Sequence, residues 1–325
     1  MKQTNFFLHI SKIILFSGIL VATASARAEL KVVTTIKPLH SLISNVMDGV
    51  GEPGLIIDGS ISPHSFTMKP SHAKMLEEAD VIFWIGEGIE TSMEEPLDSI
   101  AKDAEVIEFM ELDSIAKLKF REESIFGDHD DHDDHDDHDD HDDHDDHDDH
   151  AGHEGHNHGE FDAHIWLDPS NAKEMVHEIA HELGDLDPAN KDKYEANAEA
   201  TIKALDQLIS DVGTDINSDA KFVVFHDAYQ YFEERFGVRA AGALTLNTDV
   251  LPGAKQIADI QDVIKDKGIK CIFSEPQFNP KIITTIAEDM NIKTGVFDPL
   301  GANIDPGKSL YFKLISNLGH ELKGC

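Results

Sequence analysis

Residues 31–47 read KVVTTIKPLHSLISNVM, a run of β-branched residues followed by a proline and an apolar helical pattern. Residues 31–36 predict a buried strand, because Val, Ile and Thr pack well on a pleated surface. Pro38 predicts the first turn of a helix that continues to Met47, since proline is favoured at that position. A strand followed directly by a helix indicates an α/β fold.

The same alternation of strand and helix continues along the chain. Further elements are predicted as strands at 55–57, 81–85 and 105–109, a helix at 69–79, and buried strands at 222–225, 271–273 and 295–297. Residues 188–217 predict one long helix, which would span about 45 Å at ~1.5 Å per residue. The pattern predicts two α/β lobes with parallel sheets that flank this long helix.

The charge of the chain limits its partners. Its 325 residues include 63 Asp and Glu against 27 Lys and Arg, which gives a formal net charge of −36 at pH 7. A chain this acidic, without a basic stripe, is repelled by phosphate, so nucleic acid and anionic membrane surfaces are disfavoured as partners. The 20 histidines point instead to a metal cation, because neutral imidazole is the commonest metal ligand.

Residues 1–28 have the pattern of a cleaved secretory signal. Lys2 and Lys12 flank a polar start, an apolar run follows at 13–21, and Ala26-Arg27-Ala28 matches a cleavage site. The run is shorter than the ~20 apolar residues of a spanning helix, and no cysteine stands after it for lipid attachment. We therefore expect an exported protein without a direct membrane anchor, and an uncleaved anchor is the alternative.

Cys271 and Cys325 are the two cysteines of the chain. In an oxidising compartment an even number of cysteines predicts a disulfide, which would join the C-terminal segment to the body of the protein. A two-thiolate metal site is the alternative interpretation. It is disfavoured because no histidine or further cysteine clusters beside Cys271.

A His/Asp-rich tract occupies residues 128–158, within a predicted loop at 121–160. The triplet His-Asp-Asp repeats there, and almost no apolar residue interrupts it, so the segment is predicted to be disordered without a ligand. We interpret the tract as an auxiliary, low-affinity zinc-capture segment, with a solvated acidic loop as the alternative. Its histidines are His129, His132, His135, His138, His141, His144, His147, His150, His153, His156 and His158.

Histidines and carboxylates stand near the ends of the predicted strands. His64 follows the second strand, His164 precedes the long helix, His226 directly follows Phe225, and Asp298 follows the last strand. Ligands of open α/β sheets bind beyond the carboxyl ends of strands, so we expect these side chains to share a cleft. Three imidazoles with one carboxylate suit Zn²⁺, whereas Mn²⁺ and Mg²⁺ prefer more oxygen ligands.

Five segments resemble the cluster A-I metal-binding lipoprotein family, and in particular its zinc-binding branch. They are Ser62-Pro63-His64 with Pro70-Ser71, His164-Ile165-Trp166-Leu167-Asp168-Pro169, residues 224–232, Ser274-Glu275-Pro276-Gln277-Phe278 and Asp298-Pro299-Leu300-Gly301. The resemblance extends from residue 29 to residue 325. It implies two Rossmann-like lobes joined by one long rigid helix, with a metal site in the cleft between the lobes.

The resemblance also implies a ligand set. His64, His164, His226 and Asp298 are the implied ligands of Zn²⁺, and manganese-binding relatives have Glu in place of His226. Some zinc members have Glu where this chain has Pro63, so the fourth ligand is open between Asp298 and water. Glu275 is a further residue that would orient a ligand histidine by accepting its second N–H.

The sequence and the family resemblance together predict a receptor and not an enzyme. We expect a signal peptide at 1–28, an N-terminal lobe at 29–186, a linking helix at 187–219 and a C-terminal lobe at 220–325. The implied protein is a periplasmic monomer that binds zinc with high affinity and delivers it to the inner-membrane permease of an ABC importer. Alternatives are a manganese or broad divalent-metal receptor, and a zinc-buffering or adhesion protein without transport.

One motif indicates a different class of protein. His177-Glu178-Ile179-Ala180-His181 has the H-E-x-x-H pattern, in which two histidines one helical turn apart bind Zn²⁺ and the glutamate acts as a general base. This pattern makes a zinc peptidase the alternative function. The motif is short, however, and Gly184 to Pro188 end the helix before a third ligand of the extended motif.

Overall fold

The structure is a computed structural model, and it describes residues 30–125, 160–246, 248 and 252–325. The predicted signal segment and all eleven histidines of the His/Asp-rich tract lie outside the described residues. Among the helices in the described part of the chain, none is long and apolar enough to cross a membrane.

The N-terminal half contains a parallel four-stranded sheet in the order β2-β1-β3-β4. All five residues of β1 are buried, as expected for a strand that has neighbours on both edges. The strands are β1 (Val32–Ile36), β2 (Gly54–Ile57), β3 (Val81–Trp84) and β4 (Glu105–Glu108). The helices are α1 (Lys37–Val46), α2 (Pro70–Glu77), α3 (Glu87–Glu90) and α4 (Glu94–Ile100).

Two helices connect the halves, α5 (Pro169–Leu186) and α6 (Lys191–Asp215). The long predicted helix is α6, which is shorter than expected at both ends and, with 25 residues, spans about 37 Å. It starts after Asn190, because residues 188–190 form a turn, and it ends at Asp215, because the backbone of the next residue, Ile216, is extended. Its buried face includes Tyr194, Leu205 and Leu208.

The C-terminal half repeats the architecture with a second parallel sheet, in the order β6-β5-β7-β8. The strands are β5 (Phe222–His226), β6 (Ala243–Thr245), β7 (Cys271–Ser274) and β8 (Lys293–Val296). The helices are α7 (Gln230–Phe236), α8 (Ala254–Asp266), α9 (Lys281–Met290) and α10 (Leu310–Glu321). The two sheets and the long helix confirm the predicted fold class.

Two details differ from the sequence-based expectation. β6 was not predicted, because only three residues form it and they carry no alternating pattern. The last strand was predicted to be buried, but β8 is an edge strand with Val296 48% exposed, and only the following Phe297 is buried. An edge strand lacks a neighbour on one side, so a short apolar run there does not require burial.

The disulfide prediction is confirmed. Cys271 in β7 is bonded to Cys325, and 54 residues separate the two in sequence. Lys293 Nζ also donates to the Gly324 carbonyl at 2.7 Å. The C-terminal segment is therefore fixed to the second sheet.

Candidate metal centre

Three histidines from separate elements meet between the two sheets. His64 lies in a short 3-10 helix (Pro63–Ser65) beyond β2, His164 immediately precedes another (Ile165–Leu167), and His226 is the last residue of β5. One ring nitrogen from each lies within 4.8 Å of the others. The parallel strands explain this arrangement, because their carboxyl ends place residues that follow them at a common edge.

The spacing of two of these nitrogens matches that of two ligands of one zinc ion. His164 Nε2 and His226 Nε2 are 3.2 Å apart. Two imidazoles on a tetrahedral zinc, with Zn–N bonds of about 2.0–2.1 Å, would have nitrogens about 3.3 Å apart. His64 completes the group, with its ring centroid 5.5 Å from that of His164 and 5.8 Å from that of His226.

Buried carboxylates orient two of the imidazoles. His226 Nδ1 lies 2.8 Å from Glu275 Oε1, and His164 Nδ1 lies 2.7 Å from Asp162 Oδ1. An ionised carboxylate only accepts hydrogen bonds, so each Nδ1 carries the proton and each Nε2 presents a lone pair. Ligand histidines of metal proteins are held in this way, which fixes the ring orientation and raises the basicity of the ligand nitrogen.

The charges around His226 more than compensate for its burial. Burial is the largest single influence and lowers the pKa of His226, but the Glu275 carboxylate, together with Asp227 and Asp162, outweighs it and the pKa is raised. Burial raises the pKa of Asp227 to about 7, although the Arg121 guanidinium opposes this shift. The centre thus combines neutral ligand atoms with a surplus of nearby carboxylates, which favours a cation.

Asp298 does not join the three histidines in the structure. Its Oδ1 accepts from Gln277 Nε2 at 3.1 Å and from the Leu300 N–H at 3.2 Å, and its Oδ2 accepts from the Ala302 N–H at 2.6 Å. Among the described residues, the group with converging ligand atoms consists of the three histidines. The assignment of Asp298 as fourth ligand therefore stays a prediction.

A cavity of about 300 Å³ leads to the three histidines. One of its walls is formed by Phe120, Arg121 and Glu122, which lie a few residues before the His/Asp-rich tract in the sequence. The route into the site therefore passes the base of the predicted 121–160 loop.

Sequence reasoning did not find Asp162 or Arg121. Asp162 had a readable signal, since it stands two residues before His164 and its side chain also accepts the His164 backbone N–H at 2.9 Å. No sequence signal pointed to Arg121, because its carboxylate partners Asp227 and Glu233 are 106 and 112 residues away in the sequence.

The H-E-x-x-H segment lies on α5, away from this group. Ile179, Ala180 and Leu183 are buried, whereas His177 is exposed and the side chain of His181 is 61% exposed. Among the residues that the structure describes, no third ligand type converges with this pair. The pair therefore lacks the ligand number of a catalytic zinc site, which has three protein ligands.

Comparisons with known proteins agree with this geometry. Residues 32–325 match the family described as "Zinc-uptake complex component A periplasmic", ZnuA. The high-affinity zinc uptake system protein ZnuA of Brucella abortus is 48% identical over 303 residues, which are 90% of this chain and 91% of that protein. The corresponding protein of Yersinia pestis is 31% identical over 96% of both chains.

Solved structures show the same fold. A crystal structure of ZnuA superposes with a TM-score of 0.70 at 22% identity, over 90% of this chain and 98% of that one. The binding protein FpvC of Pseudomonas aeruginosa, in complex with Mn²⁺, gives a TM-score of 0.71 at 21% identity, over 91% and 99% of the two chains. At these identities the likeness concerns the fold and not the metal.

Proposed function

The chain belongs to the ZnuA family of periplasmic zinc-uptake components, and from this premise we propose that it captures Zn²⁺ in the cleft and passes it to a membrane permease. The ion is the transported substrate, and it enters through the cavity that ends at the three histidines. The protein acts as a receptor and carries out no reaction on the ion. The site therefore has to bind tightly and also release.

The observation that carries the proposal is the convergence of the His164 and His226 Nε2 atoms at 3.2 Å. Both rings are oriented by buried carboxylates, so two ligand atoms are aimed at one point before the ion arrives. His64 supplies the third nitrogen, and the fourth position is taken by Asp298 or by water. Preorganised ligands lose little conformational entropy on binding, which favours high affinity.

The remaining features of the proposal concern the setting of this site. The mature chain is a periplasmic monomer without a membrane anchor, and its partner is the inner-membrane permease of an ABC importer. Residues 29–186 and 220–325 act as the two lobes, joined by residues 187–219. The His/Asp-rich tract captures zinc weakly, because a segment without fixed geometry loses conformational entropy at every site that it forms.

A competition titration with a chelator of known affinity tests the proposed function. The mature protein, with and without residues 128–158, is titrated with Zn²⁺ and with Mn²⁺. We expect one tight zinc equivalent in both proteins, weaker binding of manganese, and loss of the tight equivalent in His226→Ala. Manganese bound as tightly as zinc would favour a broad divalent receptor. No tight zinc without the tract would contradict the cleft site.

A further inference from the structure

The segment at 118–125 crosses from the N-terminal to the C-terminal half of the molecule. Near its start, Lys119 pairs with Phe161, two residues before Ala163. At its end, Ile125 pairs with Gly242, next to the edge strand β6, and the Ala243 N–H donates to the Ser124 carbonyl at 2.8 Å. Because Phe120, Arg121 and Glu122 line the cavity above the histidines, this crossing segment forms a wall between the metal centre and the outside.

Arg121 attaches this wall to the C-terminal half. Its Nη1 donates to Asp227 Oδ1 at 2.7 Å and its Nη2 donates to Glu233 Oε2 at 2.5 Å. The guanidinium is 18% exposed, and the two carboxylates are 5% and 3% exposed. Hydrogen bonds from an ionised donor such as guanidinium are roughly twice as strong as neutral ones, and both of these lie where little water competes.

The two acceptors differ in their relation to the metal centre. Asp227 follows the ligand His226 directly in the chain, whereas Glu233 lies in the next helix, α7. Neither carboxylate belongs to the converging histidine group. Moving the wall away from the cavity therefore breaks two charge-assisted hydrogen bonds, while His164 and His226 keep their contacts with Asp162 and Glu275.

We propose that Arg121 is a positioning residue that sets the rate at which zinc enters and leaves the cleft, an inference that rests on the proposed function. The closed wall limits the access of competing ligands from bulk solvent to the ion. The wall opens when the guanidinium leaves Asp227 and Glu233. Since both entry and release need the open wall, Arg121 controls exchange more strongly than equilibrium affinity.

Arg235 offers a matched comparison within the same molecule. Its Nε and Nη2 donate to Asp168 Oδ1 and Oδ2 at 2.7 and 2.8 Å, and Asp168 caps the start of α5. This pair also joins α7 to the N-terminal half, but Arg235 lies outside the described lining of the cavity. Lysine at either position keeps the positive charge and loses the fork that contacts two oxygens.

The test measures zinc release from full-length mature Arg121→Lys and Arg235→Lys. Each protein is loaded with one equivalent of Zn²⁺ and mixed with excess chromophoric chelator in a stopped-flow instrument. The phase that His226→Ala abolishes reports on the cleft. In Arg121→Lys we expect this phase to accelerate by about tenfold to about a hundredfold, the change that loss of one hydrogen bond to a charged group produces.

The remaining outcomes separate this inference from a merely structural role. We expect the Co²⁺ absorption spectrum of Arg121→Lys to match wild type. Its equilibrium zinc affinity should change less than about threefold, because an easier opening accelerates entry and release together. Equal acceleration in Arg235→Lys, or an altered Co²⁺ spectrum, would overturn the inference. Should Arg121→Lys fold poorly, Glu233→Gln weakens one of the same bonds by removing the negative charge of the acceptor, and it should also accelerate release. If wild type shows no phase that depends on His226, the proposed function itself fails.

Discussion

The molecule contains two groups of histidines that sequence patterns associate with zinc, and their surroundings are opposite. His64, His164 and His226 come from three elements far apart in the chain and meet between the sheets. His177 and His181 lie one turn apart on the exposed face of α5. The short local motif is the more familiar signal, yet the dispersed group has the geometry of a metal site.

Convergence and orientation of the ligand atoms, more than their spacing in sequence, make a metal site. Asp162 and Glu275 hold two rings of the buried group, so that their free nitrogens face one point. On α5, the contact of His181 with a carboxylate is a distant one, 4.0 Å to the exposed Asp185. An exposed side chain keeps its rotamer freedom, which must be lost on binding.

The largest expected effect comes from removing one histidine from each group. His226→Ala should weaken zinc binding by more than about a hundredfold, because loss of a mere outer-shell partner already costs about 10- to 100-fold. His177→Ala should leave the tight equivalent within about twofold, since that ring has no part in the buried group. Both variants are compared with wild type in a chelator-competition titration.

Circular dichroism spectra of the two variants check that both are folded. Loss of the tight zinc in His177→Ala would contradict the cleft site. The motif on α5 would then be the primary site, and the peptidase alternative would gain support. Retention of the tight zinc in His226→Ala would contradict the cleft site as well.

Much of the contrast between the two histidine groups could be predicted from the sequence. The strands near His64 and His226 were readable as short apolar runs, and the rule that ligands bind at the carboxyl ends of parallel strands placed the histidines together. His164, which follows no strand, was included in the same argument, and the family resemblance also implied it as a ligand.

What could not be predicted depends on contacts across long stretches of chain. The ion pairs of Arg121 join segments more than 100 residues apart, and no local pattern encodes such a pairing. The side chain of Asp298 is a second case, because its own loop offers N–H groups that compete with a metal for the carboxylate. Residue type alone does not decide that competition.

Intermediate effects are expected for the orienting carboxylates. Glu275→Gln and Asp162→Asn keep the size of each side chain but remove the charge that holds the Nδ1 proton of the ligand ring. Zinc affinity should fall by about 10- to 100-fold in each variant, as is typical for such partners of ligand histidines. Glu178→Gln on α5 is the matched control, and it should leave the affinity unchanged.

Isothermal titration with a competing chelator measures these affinities, and NMR of the imidazole nitrogens reports the tautomers. Wild-type affinity in Glu275→Gln would mean that the position of His226 is determined by packing alone. The T-shaped contact of the His226 ring with Phe278, at 6.0 Å between ring centroids, would then be the first packing interaction to test by mutation.

Among the variants around the cleft, Asp298→Asn should change zinc binding least. Both oxygens of Asp298 already accept N–H groups from Gln277, Leu300 and Ala302, so a water molecule can complete the coordination while the loop stays in place. The amide would turn one acceptor into a donor that faces another N–H, which should lower the free energy of unfolding by about 1–3 kcal/mol. Zinc affinity should change by less than about threefold, because neutral donors from the three histidines remain. Thermal unfolding of the metal-free protein and a zinc titration measure the two quantities separately. A tenfold or larger loss of affinity would instead make Asp298 the fourth ligand, and the loop would then have to release its N–H groups each time zinc binds.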